Sequence, residues 1–308
     1  MKEKRVIDKS RIALIIYLVS ISFVLGMVTQ QLFIGKQWIR LNKPVASSNP
    51  QAINLEALQE QVLPKNGFVF KIRWGDLGKR LIEDGIIDKS KLTQALVGEE
   101  GSLSQEMEKY LDGSNQAQIE LNETNARFWV DVLWGLGLAN KNDILEKGPM
   151  MANGDASNFA STGGWTIGVK QPMQIYSKYE YIKLNIEQQA LVQEIAEGVF
   201  RPCCGNSTAF PDCNHGMAAL ALIELMVSQG FSKDEIYKTV LAFNSYWFPQ
   251  TYLDIAYHFA KNNRDFKNVS ALELLSKTFS SSQGYQAIKR QIGVIDWPVL
   301  KSGSSCGA

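Results

Sequence analysis

From Ile12 to Ile34 the chain reads IALIIYLVSISFVLGMVTQQLFI, about 23 residues without one charged side chain. A helix rises about 1.5 Å per residue, so roughly 20 such residues cross the hydrocarbon core of a bilayer. A single N-terminal transmembrane helix is therefore expected, with the lipid bilayer as its partner. Residues 1–11 hold five Lys or Arg, against Lys36, Arg40 and Lys43 beyond the run. That excess puts the N-terminus in the cytoplasm and the main domain outside it, in a periplasm or at a cell surface. A cleaved signal peptide opens in the same way, but its cleavage site needs small residues at alternate positions, and GMVTQQLF has no such pair. The reading is an uncleaved signal anchor.

Five segments follow: a cytoplasmic tail at 1–11, the anchor at 12–34, a linker at 35–64, a helical domain at 65–300 and a Cys-containing tail at 301–308. The linker rests on the polar, Pro-containing KPVASSNPQA. With 32 basic against 31 acidic residues, the chain lacks the surplus of positive charge that a nucleic-acid footprint needs. No nucleic-acid partner is expected. A hydrophobic content of 45% is ordinary for a folded domain.

The domain reads as mostly α with little β. Leu77, Leu81 and Ile82 share a helix face that Gly85 can end, and Asp88 can cap a second helix through Leu92 and Leu96. Between Asn122 and Ala139 the residues Phe128, Trp129, Val132, Leu133 and Leu136 form the stripe of a core-facing helix. Residues 148–168 loosen into a long loop of small residues, with a short strand expected near 165–169. Helix returns over Glu187–Val199. Ser232 and Glu235 make a capping box for a helix to about Tyr246, and Pro249 starts another reaching Lys261.

One segment carries most of the chemistry. Arg201-Pro-Cys-Cys-Gly-Asn-Ser-Thr-Ala-Phe-Pro-Asp-Cys-Asn-His215 has the pattern C-C-x8-C-x-H, and an apolar helix, MAALALIELMV, follows it directly. Asp212 or Asn214 is the expected N-cap and Gly230 the stop. Cys213 and His215 then sit at a helix N-terminus, which favours anions and lowers a thiol's pKa. Three sulfurs and an imidazole can fill a tetrahedral shell for zinc, and the same soft donors suit copper(I). The candidate ligands are Cys203, Cys204, Cys213 and His215. Met217 can add a thioether, and Glu224 can orient a ligand or partner a buried Arg or Lys. The spacing departs from the paired C-x2-C of zinc modules. A disulfide between Cys213 and Cys203 or Cys204 is the alternative use of the same residues.

The fourth cysteine, Cys306, lies in a small polar tail that can reach about 25 Å from Pro298. It is an accessory ligand, a transfer thiol, or a disulfide partner for the odd cysteine of the cluster. Asp254 and His258 are four apart on one helix and can hydrogen-bond. The string Pro172-Met-Gln-Ile175 resembles part of the lytic transglycosylase motif, in which a catalytic Glu precedes such a string. The nearest upstream Glu, Glu146, stands too far away in sequence, and the likeness covers only a few residues. No phosphate-binding glycine loop, G-x-S-x-G or H-E-x-x-H is present.

Three functions stay open. The first is an anchored metal-handling protein for zinc or copper(I), exchanging its ion with a donor or acceptor protein. The second is a tethered thiol–disulfide oxidoreductase, and the third a helical interaction module with stapling disulfides.

Overall fold

Residues 53–114, 118–163, 166–298 and 300 are described by the structure, a computed structural model. The anchor at 12–34, the linker up to residue 52 and the tail with Cys306 lie outside them. Among the described residues no helix is long and apolar enough to cross a membrane.

Two helices form the centre, α5 (Ala126–Ala139) and α9 (Asn214–Ser228), packed along their length. Both are apolar almost all round, and nearly every residue of each is buried. Such helices are stable only when surrounded. Gly137 sets how closely they meet: a Cβ there would lie 2.3 Å from the Met217 carbonyl oxygen. Ahead of them come α1 (Leu55–Val62), α2 (Leu77–Glu83), α3 (Lys89–Val97) and α4 (Gln105–Asp112). Two short strands, β1 (Phe68–Phe70) and β2 (Ile119–Leu121), pair antiparallel with Phe68 opposite Leu121. Between the central pair lie α6 (Asp143–Lys147), α7 (Pro172–Ile175) and α8 (Ile186–Gly198). The chain closes with α10 (Lys233–Trp247), α11 (Pro249–Lys261), α12 (Ala271–Leu275), α13 (Lys277–Ser280) and α14 (Ser282–Ile292). The mostly helical architecture with little strand is the one the sequence predicts.

Local signals account for most helix ends. Asp88 caps α3 through the Ser90 and Lys91 N–H groups, and the Ser232/Glu235 capping box opens α10. Gly85 has φ +71° and Gly230 φ +80°, the left-handed conformation that ends a helix. Behind α9 the Phe231 N–H donates to the Met226 carbonyl, which completes the stop. Three expectations shift. Helix α5 begins at Ala126, because Asn122 folds into a turn that accepts the Thr124 and Asn125 N–H groups. Residues 55–62, read as linker, form α1 with Leu58 and Val62 in the core. Residues 166–169 make no strand, their amides being used by a turn around Thr166 and by Gly85.

The tryptophans among the described residues are core residues. Trp74, Trp129 and Tyr110 pack edge to face, with Phe128 and Phe243 beside Trp129. Each buried indole N–H still finds an acceptor: Trp74 the Tyr110 carbonyl, Trp129 that of Glu120, Trp134 that of Ser161, Trp247 that of Ala126.

Candidate metal centre

The cysteine segment is a closed loop between α8 and α9. Phe200 and Ser207 pair as an antiparallel bridge, and Thr208 N–H donates to the Val199 carbonyl, so residues 201–206 are pinched at their base. Cys203 and Cys204 lie within that loop. Pro211 then leads the chain into α9, whose N-cap is Cys213. Neither Asp212 nor Asn214 takes that position: the Cys213 sulfur itself accepts the Gly216 N–H, at 3.4 Å. Asp212 is engaged elsewhere, by Arg201 and by the Asn206 amide at 2.8 Å each.

Four predicted residues come together. Cys203 Sγ lies 3.3 Å from Cys213 Sγ, and donor atoms of Cys203, Cys213 and His215 all fall within 4.8 Å of one another. Cys204 joins Cys213 and Asp212 in a second group of the same compactness. Cys213 belongs to both groups. Cys203 is exposed, while Cys204 and Cys213 are partly covered. Among the described residues all three are unbridged. The His215 ring packs against Phe248, 4.5 Å between centroids, which fixes its orientation beside the sulfurs.

The electrostatics favour one thiolate. Hydrogen bonds from Cys203 and Cys204 hold the Cys213 thiol well below its ordinary pKa; burial opposes them, and the Arg201 guanidinium adds to them. Cys203 is pushed up by its bonds to Cys204 and Cys213 and by burial. Cys204 is lowered by Cys203 but raised more by Cys213 and burial together. Burial brings His215 down to about 4, the Cys213 charge opposing. The imidazole is thus neutral near pH 7, the form that ligates metals.

Arg201 carries no signature in the sequence, since a lone Arg before Pro has no distinctive spacing. It is fully buried. Nε donates to Cys213 Sγ at 3.2 Å, and Nη2 donates to the Phe210 carbonyl and to Asp212. Burial alone would lower its pKa, but the three sulfurs raise it further, so it stays a cation. Gly216 makes room for it, since a Cβ there would stand 2.5 Å from Arg201 Cζ. The available signal was a permanent cation inside a cysteine cluster, with a glycine in the first turn of the following helix.

Two other segments brace the loop. Ser161 N–H donates to the Asp212 carbonyl and its hydroxyl to that of Pro211, while Phe159 meets Phe210 edge to face. From the other side Ser282 N–H donates to the Cys204 carbonyl. The loop read from 148 onward therefore supports the cysteine segment.

The remaining candidates stand apart. Met217 is fully buried in the core, its carbonyl against Gly137. Glu224 is eleven residues beyond Cys213, about 16 Å along the helix axis. It accepts from the side-chain amides of Asn140, at 2.9 Å, and Asn142, at 2.5 Å, and among the described residues pairs with neither Arg nor Lys. Burial raises its pKa well above the ordinary value, against both amides. Asp254 does not bond His258. It accepts from Gln250, Tyr285, Lys289 and Trp297, and tethers α14 and the following segment to α11. Glu146 accepts from the Ser177 hydroxyl at 3.2 Å.

No protein-family model matches the chain, and the searches of curated proteins and of solved structures return no match. The site must be read from its own geometry.

Proposed function

We propose that this chain is a membrane-anchored, extracytoplasmic metal-handling protein that binds zinc through Cys203, Cys204, Cys213 and His215. The observation that carries the reading is the convergence of Cys203, Cys213 and His215 donors within 4.8 Å, with Cys204 sharing Cys213. Charge supports zinc over copper(I). Three thiolates, a neutral imidazole, the Arg201 cation, its Asp212 partner and a divalent ion sum to one negative charge; a monovalent ion in the same shell leaves two. The anchor rests on the uncharged run at 12–34, and Cys306 would reach the site only as a transfer thiol on the tail.

Elemental analysis of the purified chain, prepared without chelator and with reduced thiols, tests it. One zinc per chain is expected. Cys213→Ser should abolish binding, because this residue belongs to both donor groups and caps α9. A Cys213→Ser protein that keeps full zinc stoichiometry sinks the reading.

A further inference from the structure

We propose that Cys203 and Cys213 form a reversible two-electron switch, in which a disulfide between them and a bound ion are mutually exclusive states. The inference rests on the metal-binding reading of the same site and adds its regulation.

The geometry sits between two end points. The sulfurs are 3.3 Å apart. Around a tetrahedral zinc with bonds of about 2.3 Å, two thiolates stand roughly 3.8 Å apart. In a disulfide they stand about 2.05 Å apart. The pair thus opens by roughly half an ångström to hold an ion, or closes by a little over one to form a bond. Closing removes two of the proposed donors at once.

Access is asymmetric in a way that suits oxidation. Cys203 is exposed, whereas Cys213 is partly covered and held by the Arg201 Nε and Gly216 N–H donors. In the ion-bound form Cys203 is a thiolate despite its raised pKa, and a peroxide from solvent reaches this exposed sulfur first. The sulfur takes the terminal oxygen, the O–O bond breaks, and a sulfenic acid forms with release of the alcohol or water. The Cys213 sulfur then attacks the sulfenic sulfur, the S–S bond forms, and the hydroxyl leaves as water. Two electrons pass from the sulfurs to the O–O bond. In the ion-bound form both sulfurs start as thiolates, so solvent supplies two protons and the ion departs. Cys204 stays reduced beside the new bond, its carbonyl held by Ser282 N–H.

The test uses the full chain, reduced and loaded with zinc alone, then treated with one equivalent of hydrogen peroxide. Peptide mapping locates any disulfide, and a chromophoric chelator counts released zinc. A Cys203–Cys213 disulfide with one zinc released per bond formed, both reversed by dithiothreitol, is the expected result. Cys203→Ser should remove the oxidant-driven release. Bridging of another pair, or zinc retained through formation of this disulfide, overturns the switch. A chain that takes up no zinc before oxidant is added refutes the metal-binding reading instead, so the two failures are separate.

Discussion

Arg201 and Gly216 occupy one volume, and the site depends on both. The guanidinium lies against the first turn of α9 only because residue 216 has no side chain. Gly216→Ala should push Arg201 off the Cys213 sulfur while leaving the helix intact. The expected result is an unchanged far-UV spectrum with zinc affinity lower by about 10-fold or more. Unaltered affinity in a competition titration would mean that the guanidinium does not support the thiolates. The cysteines and His215 were legible in the sequence because they are few and clustered, and a short loop keeps neighbours in sequence near in space. Arg201 was not, because what makes it matter is burial, and burial depends on α9, on Phe210 and on Asp212.

Helix ends were the best-read elements, because a cap is settled within four residues: Asp88, Ser232 and Gly230 act where the sequence puts them. What the elements touch was not legible in the same way. Glu224 lies on a helix with no basic partner within reach, and it is met by two asparagines more than 80 residues away. Their orientation is fixed, since the side-chain Oδ1 of Asn140 accepts the Ile182 N–H and that of Asn142 the Ile144 N–H. Both amide NH2 groups must therefore face Glu224. Glu224→Gln turns one NH2 group against another and should cost about 1–3 kcal/mol in urea unfolding, although it removes a buried acid. A stabilised variant would overturn this account. At the α5–α9 crossing, Gly137→Ala drives a methyl into the Met217 carbonyl, a backbone atom that cannot step aside. A loss of about 1–3 kcal/mol and a lower Tm are expected; an unchanged Tm would show that the pair can separate without penalty.

At the scale of the whole molecule, Asp131 on α5 couples stability to pH. It is buried with one carboxylate oxygen unpartnered, and burial raises its pKa to about 7 from 3.8, with Arg127 opposing. Between those values the folded state keeps a proton that the unfolded chain has lost, so stability is drawn down as pH rises through the window. Asp131→Asn should be more stable than the parent at pH 8, by about 1–4 kcal/mol, with the advantage shrinking towards pH 4. A pH-independent advantage in denaturant titrations would remove Asp131 as the cause.

Three stretches of chain meet at the cysteine loop: Phe159 and Ser161 from one side, residues 201–216 in the middle, and Ser282 from the other. The contacts that tie them to the loop span about 50 residues on one side and 78 on the other, so the loop is not braced by its own neighbours in sequence. A nascent chain would carry its thiols unsupported until both segments are in place. On the proposed metal-binding reading, loading with an ion would be a step of maturation that follows folding, and an isolated peptide copied from the loop would be a poor stand-in for the protein.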